Sequence, residues 1–556
     1  MQTYMRGNSR PHIPIAVDSP SEITSVKPAS KLPVISSLAY LGKRVRSVIP
    51  DPIPQGASSK SGFTLDSSGV AGFFGGDSAV LAMASVNLIP NRRWVGWYNT
   101  PGSYEIAKQF GQLADSPFWD ALVPGGKHEP AILFELDGKV GPEFIASYSG
   151  TTFAQTGHLA YLLTRKAKSM TGIADTQTDR VGTPTSLVII DLPQVPPASD
   201  HPALPSSWLP KRSALLALVP ITGSVVACVF CALVADWYCC ANIALGIIAN
   251  GCACFFVGSG KLTYVRPDKP AYTPRGGGIL RQDWGVVLLL GTPTQVISVT
   301  RGRFVLQYGT NTKRPETTPD ESSNPPSSPS ALGDVWARLA SCGLRGHWQP
   351  LDGSTGFNSC MQIWKLLTSP SQRTIGYCAL LLTVQFFVQL LLIPQGTLSG
   401  QIMFISTLAL SWGYNSYLSS VDREDIQTDI LIESVLRLHL KERARKYDFK
   451  SRTGMVIFAC LAMPYETNEP PPDRMKILNA LLPNDTRVWK HWKTVVEAKL
   501  TAATSDSGPW KFVPEDKALD DASADEEKLL TALLNDAELA SERFHKDKDV
   551  NKNFGL

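Results

Sequence analysis

The chain has 556 residues, a formal net charge of +4 and 18% charged residues. That charge is too small for this length to mark a nucleic-acid binder, and no basic stripe interleaved with aromatics supplies one locally. A mean hydropathy of −0.03 would suit a soluble protein, but the average conceals two strongly apolar blocks set in a polar remainder that holds most of the 41 prolines.

Residues 1–60 are polar and proline-rich, without the apolar core of a signal peptide, and read as a disordered arm. Residues 61–197 read as a cytosolic α+β domain. Strands are expected at Ala131–Leu136, Glu143–Tyr148 and Ser186–Asp191, and a short helix capped by Ser103 over Ser103–Leu113. The apolar run Val70–Pro90 contains Asp77, costly at mid-bilayer, so it reads as buried or interfacial rather than as a span.

After a linker at 198–212, residues 213–258 form two apolar runs parted by Asp236 and Trp237, each near the roughly 20 residues that carry a helix across a bilayer. The reading is a transmembrane hairpin. Asn242, Gly246, Asn250, Cys254 and Gly258 recur every four residues, a stripe of small or amide side chains suited to close helix packing. A polar path lined by the two asparagines is the sharper alternative. Six of the ten cysteines crowd this hairpin, where a secreted disulfide framework has no place. Cys228-x-x-Cys231 could hold metal and Cys252 with Cys254 could take acyl chains, but small apolar packing is the plainer role.

Residues 259–310 read as a β-rich segment, with a buried strand at Gly285–Gly291 and a hairpin of Gln295–Thr300 and Arg303–Tyr308 around Arg301-Gly302. A disordered linker covers 311–330 and a helical lead-in 331–373, including a surface-lying amphipathic piece at Phe357–Leu367. Residues 374–418 form the second hairpin, with Gln385 and Gln389 one turn apart on its first helix and Thr407 and Ser411 on its second. Four spans in two pairs follow, with cytosolic α+β and helical regions. The run FVQLLLIPQGTLSGQIMFISTLALSWGYNSYLSSVDRED resembles a segment of uncharacterised multi-span membrane proteins of fungi. That resemblance implies membrane location and carries no activity.

In the cytosolic helical region 419–514 the fourth span is expected to run on as a long helix through Ile426, Ile430, Val435 and Leu438. Lys441, Arg443, Arg445, Lys446, Lys450 and Arg452 then form a basic cluster that an anionic leaflet would attract, unless it is simply a solvated face. Asp485–Ala503 reads as an amphipathic helix that puts Trp489, Trp492, Val496 and Leu500 into a core. In the acidic tail 515–556, Asp525–Leu539 reads as an exposed helix that offers Leu529 and Leu533 to a protein partner.

Basic residues flank the long segments (Lys211, Arg212, Lys261, Arg266, Arg373, Arg423) and neither short turn has one, so both termini are expected in the cytosol. The sequon Asn484-Asp485-Thr486 would then stay unmodified. No phosphate loop, nucleophile elbow or zinc-protease pair occurs. Gly258-Ser259-Gly260-Lys261 has Phe at position 255 and Leu at 262, so the phosphate cradle and the magnesium hydroxyl are both missing. No cofactor is indicated. The expected role is a non-catalytic membrane anchor or scaffold with lipid around it and protein partners on its cytosolic side. Channel or transporter subunit, and membrane-anchored enzyme with its site in residues 61–197, are the alternatives.

Overall fold

The computed structural model describes residues 75–114, 129–174, 184–194, 215–267, 276–308, 372–463, 473–502, 508–519 and 522–547. The N-terminal arm, the linkers and nearly all of the helical lead-in 331–373, with its piece at Phe357–Leu367, lie outside them. Two short helices come first, α1 (Gly76–Ala84) and α2 (Ser103–Phe110). Each starts from a glycine at positive φ, Gly75 at 70° and Gly102 at 71°, so Gly102 and not Ser103 holds the cap position of α2. Then come β1 (Glu143–Ala146), β2 (Thr152–Phe153), α3 (His158–Ser169), β3 (Thr185–Asp191) and the apolar pair α4 (Leu218–Leu233) and α5 (Trp237–Val257). The middle of the chain gives β4 (Lys261–Val265), β5 (Gly278–Gln282), β6 (Gly285–Leu290), α6 (Pro293–Thr300) and β7 (Arg303–Gln307). A second apolar pair, α7 (Gln372–Leu392) and α8 (Leu398–Ser419), is followed by α9 (Arg423–Asp429), β8 (Ala444–Phe449), α10 (Arg452–Ala462), α11 (Arg474–Leu481), α12 (Arg487–Ala502) and α13 (Ala524–Lys546).

Six strands form a mixed sheet in the order β2-β1-β5-β6-β3-β8, and β4 pairs with β7 apart from it. Only β3 and β6 run parallel; the other pairs are antiparallel. β5 and β6 are joined by the two-residue turn Asp283-Trp284, with Gln282 opposite Gly285. Both faces of the sheet are covered, which is why β6 is apolar without alternation and buried along its whole length. Leu187, Ile189, Ile279, Val286 and Leu288 face a layer made by α10, α12 and α13, centred on Trp492 and Phe458. Val188, Ile190, Leu280, Val287 and Leu289 face α3 and the core that continues into the apolar helices. The strands come from three stretches separated by the two apolar hairpins, so the hairpins are insertions in one sheet's connections.

Several expectations change. Ala131–Leu136 is not a strand, because Pro130 opens the short helix Pro130–Leu133. Gln295–Thr300 is helical too: Thr292 and Gln295 cap each other across Pro293, and that box outweighs the β-branched run that follows. Arg303–Gln307 pairs instead with Lys261–Val265. α8 does not continue as a long helix, since the chain breaks at Val421, Asp422 caps α9 through the amides of Glu424 and Asp425, and Ile430–Val435 widens into a π-helical turn. The tail helix is not free. Leu530, Leu533, Leu534, Ala537 and Phe544 on α13 are buried against the sheet's helical layer, and only Leu529 of the offered pair stays partly exposed.

Two helices are long and apolar enough to cross a membrane, Trp237–Val257 and Thr374–Gln395. Four spans are not supported. α4 has 16 residues, about 24 Å at 1.5 Å per residue against a hydrocarbon core of about 30 Å, and α8 dilutes its apolar residues with Ser, Thr, Gln, Asn and Tyr. The described part of Val70–Pro90 holds the nine-residue α1, with Asp77 exposed.

A charged latch docks the exit of α8 on α3. Glu424 meets both Lys139 and Arg165, Arg165 also reaches Asp425 at 3.1 Å, and the Tyr161 hydroxyl donates to Glu424 at 2.9 Å. Beside it the buried His158 donates through Nε2 to Gln427 Oε1 at 2.8 Å, and Gln427 Nε2 donates to the Glu135 carbonyl. Burial holds this imidazole below its ordinary value of 6.5. Above that value folded and unfolded chains are both neutral here, whereas below it the unfolded chain takes up a proton that the fold resists. The melting temperature should therefore fall from about pH 7.5 to about pH 5.5, and His158→Gln should flatten that slope. In the opposite layer Trp492 is fully buried, so Trp492→Ala should cost roughly 3–5 kcal/mol in denaturant melts, well beyond the loss for the half-buried Trp489→Ala.

Candidate functional site

The four apolar helices pack as a bundle with its polarity reversed. Leu218, Val225, Val229, Leu233, Ile248, Val384, Phe387, Leu391, Ile402 and Leu410 point outward and are more than a third exposed. Inside lie Ser224, Asn242, Asn250, Gln385, Gln389, Gln401, Thr407, Ser411 and Asn415, none above 3% exposure.

The interior side chains clasp an irregular stretch of backbone. Residues 95–102, between α1 and α2, enter the bundle and return. Asn250 Nδ2 donates to the carbonyls of Gly96 (2.7 Å) and Tyr98 (3.3 Å). The Asn99 amide donates to Ser224 Oγ at 3.1 Å, its carbonyl accepts from Ser411, and its side chain donates to Thr407 Oγ1 at 3.0 Å. Asn415 Nδ2 donates to Thr100 Oγ1 at 3.0 Å and its Oδ1 accepts from the Tyr98 hydroxyl at 2.8 Å. Non-helical backbone at such depth survives only when protein groups satisfy it.

Arg92 anchors the base of this stretch. Its Nη2 donates to the Tyr98 hydroxyl at 2.8 Å, and its guanidinium lies 5.7 Å from the Tyr98 ring centre and 5.3 Å from that of Tyr414. It is 3% exposed, and the two aromatic faces serve where a carboxylate would be expected.

The small stripe on α5 mostly serves the inserted stretch. Gly246 faces Asn99 and Gln385, Cys254 backs on Gly96, and Gly258 faces Arg93 and Val86; beside the stripe, Gly251 lies under the Trp97 ring. Asn242 and Gln385 are fully buried on the facing helices α5 and α7. Neither side chain has a hydrogen-bond partner, and Gln389, one turn from Gln385, leaves its Nε2 unpaired.

At the far end of the bundle the two hairpin turns meet on one carboxylate. Asp236 caps α5 by accepting from the Cys239 amide at 3.1 Å, and its other oxygen accepts from both the amide and the hydroxyl of Thr397 at 2.7 Å. Thr397 in turn caps α8. A carboxylate so placed meets the positive ends of two helices, and Gly400 is required because a methyl there would strike Asp236 Oδ2.

Half of the basic cluster, read from sequence as either a lipid-attracted or a solvated face, makes contacts within the protein. Arg443 pairs with Asp191 at 2.9 Å and Arg445 with Asp547 at 3.7 Å, and Lys446 donates to the carbonyls of Lys168 and Met170. Arg443 closes the helical turn before β8, Arg445 and Lys446 lie on that edge strand, and Lys441, Lys450 and Arg452 are exposed around it. Among the described residues no group of three or more His, Cys, Asp or Glu is placed to hold a metal, so Cys228 and Cys231 gather no further ligand.

The sequence hides Arg92, Tyr98, Asn99, Ser224 and Asn415 as one constellation, because Asn99-Thr100-Pro101-Gly102 has the look of a surface turn and its partners lie 125 to 315 residues away. The available signal is hydroxyls and amides spaced one turn apart on helices that are otherwise apolar. Gly251→Ala and Gly400→Ala should each cost roughly 1–3 kcal/mol by overpacking, read as a lower melting temperature in detergent. Gly413→Ala, with nothing within 4 Å, should be neutral or gain up to about 1 kcal/mol of helix propensity.

No family model, curated protein or solved structure matches this chain, and the likeness noted for the second hairpin gains no support from them.

Proposed function

We propose that the chain is an integral membrane protein whose apolar bundle holds the sheet and its helical layer against one face of a bilayer, acting as an anchor or scaffold. The reversed polarity of the bundle carries this reading. Water would favour the opposite arrangement, whereas lipid tails accept an apolar exterior and drive amides and hydroxyls inward. Aromatic residues add support: Trp237 and Tyr238 are about half exposed at the turn end, and Tyr377, Trp412 and Tyr417 are exposed toward the sheet end, as side chains at two interfaces would be. α5 and α7 provide the crossing, with α4 and α8 alongside them.

Asn242, Asn250, Gln385 and Gln389 are 0–2% exposed, and this favours a sealed anchor over a polar path. The sheet end carries Lys261, Arg266 and Arg423, and their excess on that side supports a cytosolic sheet with both termini beside it. Alkaline carbonate should leave the protein in the membrane pellet, and release into the supernatant would defeat the proposal. Asn484 lies in an exposed loop, so it should remain unglycosylated. An endoglycosidase-sensitive shift abolished by Asn484→Gln would place the sheet in the lumen instead.

A further inference from the structure

Four of the cysteines gather at the turn end of the first hairpin, and two of them face each other across it. Cys228 on α4 and Cys240 on α5 have their sulfurs 3.6 Å apart, and the Cys228 thiol lies 3.7 Å from the Cys240 carbonyl. Both are only partly buried. Cys231 and Cys239 are sealed away, and the Cys239 sulfur is packed against Gly396 and Gly400 of the other turn. The two facing sulfurs are at van der Waals contact, and closing to a bond of about 2.05 Å needs an approach of only about 1.5 Å.

We propose that Cys228 and Cys240 form a reversible disulfide that fastens α4 to α5 beneath the Asp236 clasp. The oxidant is a dithiol-accepting disulfide, either a small-molecule disulfide or a disulfide-carrying oxidoreductase. A thiolate from one cysteine attacks the oxidant's S–S bond and expels one thiol, and the second cysteine then attacks the mixed disulfide and expels the other. One S–S bond is made and one broken; the two cysteines are oxidised, the oxidant is reduced to two thiols, and the two protons leave on those thiols.

Access comes from the turn side. Cys240 lies within one helical turn of Trp237 and Tyr238, which mark an interface in the embedded reading. The proposal rests on that reading only for the side from which the oxidant arrives, since the sulfur contact belongs to the hairpin alone.

The test uses the full chain in native membranes, treated with diamide, blocked with N-ethylmaleimide, denatured, and analysed by mass spectrometry with and without reduction. A peptide pair joined through Cys228 and Cys240 is expected, lost in Cys228→Ser and in Cys240→Ala and retained in Cys231→Ser. Full maleimide labelling of both residues after diamide would overturn the proposal, as would linkage of either one to Cys231 or Cys239. Carbonate extraction of the same membranes reports separately on embedding, so a failed disulfide and a failed membrane reading give different results.

Discussion

Every buried carbonyl and amide of an irregular backbone has to find a partner, and inside an apolar bundle side chains must supply those that the local backbone does not. The stretch from Val95 to Gly102 imposes that demand, and Ser224, Asn250 and Ser411 answer it from three different helices, while Asn415 holds the hydroxyls of Tyr98 and Thr100. The bundle is therefore held together by the segment it encloses. Losing any one of these partners would leave a buried group unpaired, at about 1–3 kcal/mol each, so the polar residues that clasp this stretch serve the architecture before they serve any ligand.

The same economy operates at both ends of the bundle. At one end a single carboxylate joins the starts of two helices from different hairpins. At the other, the Glu424 cluster fixes the emerging chain on α3 and Arg423 ties it to Glu135, just after the short helix Pro130–Leu133. Between these fastenings the sheet and the bundle share one continuous core.

Much of this was readable where local pattern and final environment agree. The run from Gly285 to Gly291 is apolar at every interior position because β6 is buried on both faces, and Trp492, Val496 and Leu500 mark the inner side of α12 as their spacing indicates. Other parts were hidden by competition between signals. Val296, Ile297 and Val299 favour a strand, and only the Thr292–Gln295 box turns them into a helix. The tail helix puts Leu533 on a face that sequence alone cannot assign to a partner within the chain or outside it. The inserted stretch was the least legible, because nothing near Asn99 announces that Ser224 and Ser411 will meet it.

The parallel pairing of β3 with β6 sets an order on assembly. Their connection contains the whole first hairpin, so during synthesis the centre of the sheet cannot zip until that hairpin has been made and delivered to its own surroundings, and β8 must wait for the second. β3 emerges from the ribosome with both apolar faces bare and its neighbours still untranslated, an interval in which a chaperone would find an exposed target.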